Sequence, residues 1–183
     1  MRKKNLVILC VLIFLISLNS FTPKAIAAPR EQSKLQTSLY NYLSVAANRN
    51  SVEKAARRLN RGNYHNICIY YASESLRRVG YKVPRRICKT RELIYYLKSE
   101  GWKVSYNLQE LKPGDICFTT NNILGAPSHA HIFMEWVKLG STENAYVVDN
   151  QSRDYKGNTY HIRNIRRRLK DKDATRFFMY KPR

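Results

Sequence analysis

The chain has 183 residues, of which 44% are hydrophobic and 25% charged, a balance typical of a folded globular protein and not of a disordered one. Seven glycines and six prolines exclude collagen and low-complexity linkers, and no period of about 20 to 50 residues indicates a repeat array. Lys and Arg number 33 against 13 Asp and Glu, so the formal net charge is +20. The length favours one domain after processing.

Residues 1–28 are predicted to be a secretory signal peptide that lies outside the fold. A basic start at 2–4 precedes an apolar run at 6–18, and polar residues then lead to Ala-Ile-Ala-Ala at 25–28. The alternative is a membrane anchor, but the apolar run is shorter than the roughly 20 residues that a spanning helix needs. We therefore expect a secreted, extracellular or cell-envelope protein with no membrane span after cleavage.

The strong positive charge predicts an anionic partner. Cleavage would remove four basic residues and no acidic residue, which changes the net charge from +20 to +16. Peptidoglycan or another anionic cell-wall polymer, lipid headgroups and extracellular nucleic acid all fit such a surface. The chain has no recognised nucleic-acid motif, so no specific nucleic acid is expected. A surface charge that only keeps the protein soluble is the remaining alternative.

Apolar residues at three- and four-residue steps predict helices in the first part of the chain. These helices cover 34–48, 51–59, 67–79 and 91–100, and the first two form an N-terminal helical segment at 29–62. Ser51, Asn66 and Thr90 are the expected N-caps of the last three helices. Gly80 is the expected C-cap glycine of the helix at 67–79.

The second part of the chain has the composition of β-strands. After a Lys-Pro-Gly-Asp turn at 112–115, residues rich in Ile, Val, Phe, Tyr and Trp predict strands. These strands cover 116–120, 129–139, 145–149, 160–165 and 176–180, and 121–128 is a predicted loop. Helices followed by an antiparallel sheet indicate the α+β class.

Three cysteines remain after cleavage, namely Cys68, Cys88 and Cys117. An odd number outside the cytoplasm leaves at least one free thiol or an intermolecular bridge. One arrangement pairs Cys88 with Cys117 and leaves Cys68 as a working thiol, and in the other both are simply buried apolar residues. The pair His129-x-His131 alone is a weak metal signal, so no metal or other cofactor is expected.

The most specific indication of chemistry in the sequence is Cys68, which lies in the first turn of a predicted helix. Free backbone N–H groups and the helix dipole stabilise a thiolate there. His129 begins a predicted strand and Asp149 ends the next one, and an antiparallel hairpin brings these two ends together. A cysteine activated by a histidine needs a third polar group to orient the imidazole, which Asp149 would supply.

The residue pattern leaves two parts of this site open. His131 points to the same face of its strand as His129, so either imidazole could act as the base. Asn150 and Gln151 directly follow Asp149 and could replace it as the third polar residue or contribute to an oxyanion site.

Three segments resemble those of NlpC-like and CHAP-like cell-wall hydrolases. Residues 66–80 (NICIYYASESLRRVG) resemble the helix that carries the nucleophile in that superfamily. Residues 108–120 (LQELKPGDICFTT) resemble its Leu-x-Pro-Gly-Asp strand start, and 129–136 (HAHIFMEW) resemble its His strand. Their order and spacing agree over 66–151, which is about half of the mature chain.

The resemblance implies a papain-like fold for residues 63–183, in which the Cys helix packs on an antiparallel sheet that carries the His. It implies Cys68 as nucleophile, His129 as base and Asp149 as third residue. The implied activity is that of a secreted cysteine peptidase or amidase that cleaves amide bonds in peptidoglycan peptides or a similar peptide. Two alternatives stay open, a non-catalytic cationic wall-binding protein of the same fold and an acyltransferase or toxin-like amidase.

Overall fold

The computed structural model describes residues 30–120 and 127–183. The predicted signal peptide and most of the predicted loop at 121–128 lie outside these residues. The described part is α+β, as predicted, with four helices and one six-stranded antiparallel sheet. The helices are α1 (Lys34–Ser44), α2 (Ala46–Leu59), α3 (Cys68–Arg78) and α4 (Thr90–Ser99). The strands are β1 (Lys103–Ser105), β2 (Ile116–Thr119), β3 (His129–Trp136), β4 (Asn144–Val148), β5 (Tyr160–Asn164) and β6 (Thr175–Tyr180).

The break between the first two helices falls at Val45, and the predicted break at 48–51 with Ser51 as N-cap is wrong. Val45 has extended dihedrals, φ −87° and ψ 122°. The side chains after it bind carbonyls that α1 leaves without helical partners. Asn48 Nδ2 donates to the Tyr42 carbonyl at 3.0 Å and Arg49 Nη1 to the Leu43 carbonyl at 2.8 Å. These polar side chains therefore join two helices and do not end one.

The N-terminus of α3 has no side-chain cap, which corrects the prediction that Asn66 is its N-cap. Asn66 has φ +58°, the left-handed region that asparagine tolerates, and Ile67 is the capping residue. At the other end Gly80 is confirmed as the glycine after the helix, with φ +83°. The N–H of Gly80 bonds to the Arg77 carbonyl at 3.1 Å and that of Tyr81 to the Leu76 carbonyl at 3.0 Å, which is a Schellman motif.

Helix α4 begins at Thr90 and its N-cap is Lys89, so the prediction of Thr90 as N-cap is wrong by one residue. The Glu92 carboxylate accepts the N–H of Cys88 at 3.0 Å and that of Lys89 at 3.1 Å. A carboxylate in the first turn therefore binds the two N–H groups that directly precede the helix, which is the reciprocal half of a capping box.

The sheet has the strand order β1-β6-β2-β3-β4-β5. Strand β1, which the sequence did not predict, is a three-residue edge strand that pairs only with β6. The other five strands lie within a few residues of their predicted positions. Strands β3 and β4 form the predicted hairpin, with Ile132 opposite Val148.

Helices pack on one face of the sheet. Alternate residues of β3, such as Ala130 and Ile132, join a hydrophobic cluster with Leu39 of α1, Val52 of α2 and Ile69 of α3. The N-terminal helices thus share one core with the helix that carries Cys68. On the opposite face a smaller cluster is formed by buried residues of the strands and the segments beside them, including Leu108, Leu111, Cys117, Phe133 and Phe178.

The Pro-Gly-Asp turn joins α1 to the sheet. Gly114 has φ +87°, and a Cβ at this position would lie 2.2 Å from the Gln36 carbonyl oxygen, so only glycine fits. The buried Asp115 carboxylate accepts hydrogen bonds from Gln36 and Arg30 and, at 2.8 Å, from the N–H of Lys112. Burial raises the pKa of Asp115 to about 7, although the Arg30 charge opposes the rise.

Candidate active site

Cys68 is the first residue of α3 and lines a cleft of about 320 Å³. Because no side chain caps α3, its first-turn N–H groups remain available, and the positive end of the helix dipole faces the thiol. Only 9% of the Cys68 surface is exposed. His129, Asn150 and Gln151 line the same cleft, so four of the predicted site residues meet in one place.

The structure brings Cys68, His129 and Asp149 into one connected group. His129 Nε2 and Asp149 Oδ2 are 2.8 Å apart. The Cys68 thiol interacts by hydrogen bonds with the His129 ring and the backbone N–H of Ala130. Because Asp149 occupies Nε2, Nδ1 is the ring nitrogen left to face Cys68. The predicted proximity of His129 and Asp149 across the β3–β4 hairpin is therefore present, with Asp149 one residue beyond the strand.

The electrostatics of this group favour an ion pair between Cys68 and His129. Burial raises the pKa of Cys68, but the hydrogen bond and positive charge of His129 outweigh it, so the net pKa lies below its ordinary value. Burial lowers the pKa of His129, but the Asp149 carboxylate and Cys68 more than compensate and raise it to about 9. The arrangement thus shifts the equilibrium toward a thiolate beside an imidazolium, the reactive form of a cysteine nucleophile.

Asp149 is held ionised by groups that sequence reasoning missed. Its Oδ1 accepts the N–H of Gln151 at 2.8 Å and lies 3.8 Å from His161 Nε2, while its Oδ2 lies 3.9 Å from Arg163 Nη1. Burial alone would raise the pKa of Asp149, but the charges and hydrogen bond around it hold the pKa well below its ordinary value. His161 and Arg163 are thus candidate positioning residues.

A signal for these two residues was present in the sequence. His161 and Arg163 are alternate residues of β5, so their side chains share one face of the sheet. Both are nearly buried, 6% and 3% exposed, and they pair with Val147 and Ala145 of the neighbouring strand. Two polar residues on the inner face of a strand next to the one that ends at Asp149 could have been recognised as its partners.

His131, the alternative base, has different surroundings. Its ring lies 6.3 Å from that of His129, on the same face of the strand as predicted. However, it is buried, its Nε2 lies 3.3 Å from Thr175 Oγ1, and it does not line the cleft. Burial, the Arg163 charge and the His129 charge lower the pKa of His131 well below its ordinary value. The geometry therefore favours His129 as the base.

Asn150 and Gln151 lie at the wall of the cleft and do not replace Asp149 beside His129. The Gln151 Oε1 atom accepts a hydrogen bond from Arg163 Nη1 at 2.9 Å. This contact fixes the orientation of the amide and leaves its NH₂ group as a donor for a bound molecule. The Asn150 Oδ1 atom is buried and has no hydrogen-bond partner among the described residues.

Cys68, Cys88 and Cys117 are all free thiols, so the disulfide between Cys88 and Cys117 that the sequence left open is not formed. Cys117 is fully buried on the face of the sheet that carries the smaller cluster. Burial raises its pKa well above the ordinary value, which keeps this thiol protonated. Among the residues that the structure describes, no three His, Cys, Asp or Glu side chains come close enough to hold a metal ion. In the same ranges, no helix has the length and apolar character to cross a membrane.

Comparisons with known proteins found no match to a family model, to a curated protein or to a solved structure.

Proposed function

We propose that the protein is a cysteine hydrolase that cleaves an amide bond through Cys68, His129 and Asp149. The observation that carries the proposal is the connection of these three side chains, with Cys68 and His129 lining one cleft, Cys68 at an uncapped helix N-terminus, and the buried Asp149 bound to His129 at 2.8 Å. A buried thiol of purely structural role needs neither a neighbouring histidine nor a carboxylate that raises the pKa of that histidine to about 9.

The proposed reaction begins with attack of the Cys68 thiolate on the amide carbonyl carbon, which forms a C–S bond. The backbone N–H of Cys68 and the Gln151 amide donate to the developing oxyanion. The C–N bond then breaks, and His129 Nδ1–H gives its proton to the leaving amine. In the second half, His129 takes a proton from water, the hydroxide attacks the thioester, and a carboxylic acid leaves as the Cys68 thiolate is restored.

Asp149 has a supporting role in this proposal. It holds the His129 ring so that Nδ1 faces the sulfur, and its negative charge stabilises the imidazolium. His161, Arg163 and the N–H of Gln151 hold Asp149 in turn. The helix that carries the thiol and the hairpin that carries the other two groups pack in one hydrophobic cluster, so the relative positions of the three groups are fixed.

The proposed substrate is the peptide part of peptidoglycan, or a similar peptide, and the proposed fold family is the papain-like NlpC or CHAP superfamily. The motif order Cys68, Pro-Gly-Asp at 113–115, then His129, the expected export signal and the charge of +20 support this choice. A basic surface would keep the enzyme at an anionic wall polymer.

The test is mass spectrometry of purified peptidoglycan after incubation with residues 29–183, either unchanged or with Cys68→Ala. New peptide fragments from the unchanged protein alone would identify both the nucleophile and the cleaved bond. A matched Cys88→Ala variant, which removes a thiol outside the cleft, should release the same fragments. Equal products from the Cys68→Ala variant would contradict the proposal.

The net charge also supports a second candidate, a non-catalytic protein that binds the wall. In that case the unchanged protein and the Cys68→Ala variant would sediment equally with peptidoglycan, and neither would release fragments. An acyltransferase would instead give a product of higher mass in which the acyl group is joined to an added amine.

A further inference from the structure

One end of the cleft is formed by an aromatic ring in contact with two arginines. The guanidinium carbons of Arg57 and Arg153 each lie 3.6 Å from the centroid of the Tyr64 ring. Tyr64 and Arg153 line the cleft that contains Cys68, and Arg57 approaches the ring from α2. We refer to Arg57, Tyr64 and Arg153 as the arginine–tyrosine cluster.

The positive charge of this cluster is not neutralised within the protein. The other cations of the cleft are paired, since Lys172 lies 2.6 Å from Asp154 and Arg163 lies 3.9 Å from Asp149. Among the described residues, no carboxylate lies within 4.0 Å of either Arg57 or Arg153. All 13 acidic residues belong to the described ranges, so no acid from the remaining segments can complete the pairing.

Arg57 adds an independent observation. Its Nε atom is buried and has no hydrogen-bond partner among the described residues. A buried donor without a partner is unfavourable, and two guanidinium groups against one ring also repel each other. An anion bound at Arg153, the arginine of the pair that lines the cleft, would reduce this repulsion, and the planar guanidinium group matches the two oxygens of a carboxylate.

We propose that the arginine–tyrosine cluster binds a carboxylate of the peptide substrate, so that the cleaved amide lies near an acidic residue. This inference rests on the proposed hydrolase function, because it places the carboxylate in the same cleft as Cys68. The Tyr64 ring contacts the Arg153 guanidinium at the wall of the cleft, which reduces the freedom that this side chain would lose on binding.

The test uses pairs of synthetic peptides that are identical except for Glu or Gln at one position, with that position moved along the peptide. The unchanged protein should cleave the best Glu peptide with a kcat/KM at least about tenfold above its Gln partner, as expected for a charge-assisted, two-point contact. In Arg153→Gln this ratio should fall to about one, because kcat/KM on the Glu peptide falls.

Variants at two further positions distinguish the effect of the cluster from the effects of total charge and of aromatic packing. Arg91→Gln removes the same charge from an exposed position of α4 outside the cleft, and it should retain the preference for Glu. Tyr64→Phe keeps the ring and should also retain the preference, whereas Tyr64→Leu should reduce it. A ratio of one for the unchanged protein at every position, or a ratio that Arg153→Gln leaves intact, would overturn the inference.

A binding measurement distinguishes failure of this inference from failure of the proposed function. Calorimetry with the Cys68→Ala variant compares the affinities for the same Glu and Gln peptides without turnover. If the unchanged protein cleaves nothing but the Cys68→Ala variant prefers Glu through Arg153, the carboxylate site stands and the hydrolase proposal fails. If cleavage occurs without a preference for Glu in either assay, the hydrolase proposal stands and the carboxylate site is wrong.

Discussion

Replacing Asp149 by Asn tests the electrostatic basis of the proposed site most directly. The substitution keeps the shape of the side chain but removes the negative charge that lies 2.8 Å from His129 Nε2. Without that charge, burial should lower the His129 pKa, with only the influence of Cys68 opposing it. A larger fraction of His129 would then be neutral at pH 7, and the Cys68 thiolate would lose its positive partner.

The structure sets the size of the effect. A rise in the His129 pKa from 6.5 to about 9 favours the imidazolium by a factor of about 300, or roughly 3 kcal/mol. Part of this preference comes from Cys68 itself, and burial opposes it, so we expect a loss of about 10²-fold in the thiolate population at pH 7. The Asp149 charge also raises the Cys68 pKa directly, but this influence ranks below those of His129, so the net pKa of Cys68 should rise.

The assay is the rate of alkylation by iodoacetamide as a function of pH, followed at the Cys68 peptide by mass spectrometry. The unchanged protein should react rapidly at pH 7, whereas Asp149→Asn should react about 10²-fold more slowly and reach full rate only at higher pH. In the hydrolysis assay, kcat/KM of the unchanged protein should also fall as pH passes about 9, because the His129 proton needed by the leaving amine is lost.

Two controls make this test decisive. Cys117 is fully buried, so it should stay unmodified in every variant that remains folded. Asp154→Asn removes another carboxylate that lines the cleft and pairs with Lys172, and it should leave the Cys68 profile almost unchanged. Equal rates at pH 7 for Asp149→Asn and the unchanged protein, with Cys117 protected, would refute the proposed ionisation of the site.

Two other substitutions test the choice of base and the turn before β2. His129→Ala is expected to lower kcat/KM, measured by initial rates, by about 10²- to 10⁴-fold, and His131→Ala by a much smaller factor, because of these two histidines only His129 lines the cleft. The reverse order would make His131 the base. Gly114→Ala should lower the free energy of unfolding in urea by at least about 2 kcal/mol more than Gly140→Ala. Both glycines have positive φ, but only at position 114 would the Cβ meet the Gln36 backbone, so equal losses would refute this explanation.

The sequence predicted the fold class because apolar residues recur at helical spacing in the first part of the chain and the second part has the composition of β-strands. The helix at 67–79 and the β3–β4 hairpin were placed within a few residues. Helix boundaries were less predictable, because contacts between residues distant from the helix end decide them. Asn48 and Arg49 lie in the predicted break at 48–51, yet their side chains bind carbonyls at the end of α1. Strand β1 depends on its pairing with β6, which a local pattern does not reveal.

The parts of the site that depend on local geometry could be predicted from the sequence. The parts that depend on the arrangement of the whole sheet could not. Hairpin pairing was sufficient to place His129 beside Asp149. The choice between His129 and His131 required the burial of each side chain, because the alternation of side chains along a strand puts both on one face. Arg163 was overlooked because it reaches Asp149 from β5, on the far side of β4 from His129.

The order of charges through the site explains why these groups belong together. Along the line of contacts, the Cys68 thiolate is followed by the His129 imidazolium, the Asp149 carboxylate and the Arg163 guanidinium, so each charge has a neighbour of opposite sign. Arg163 also orients the Gln151 amide and binds the Asp173 carbonyl at 2.7 Å. An isolated pair of buried charges stabilises a fold poorly, because the cost of desolvation offsets the attraction. Four alternating charges that end at a hydrogen-bonded arginine reduce this cost for each member, and they stabilise the Cys68 thiolate, the form that the proposed reaction requires.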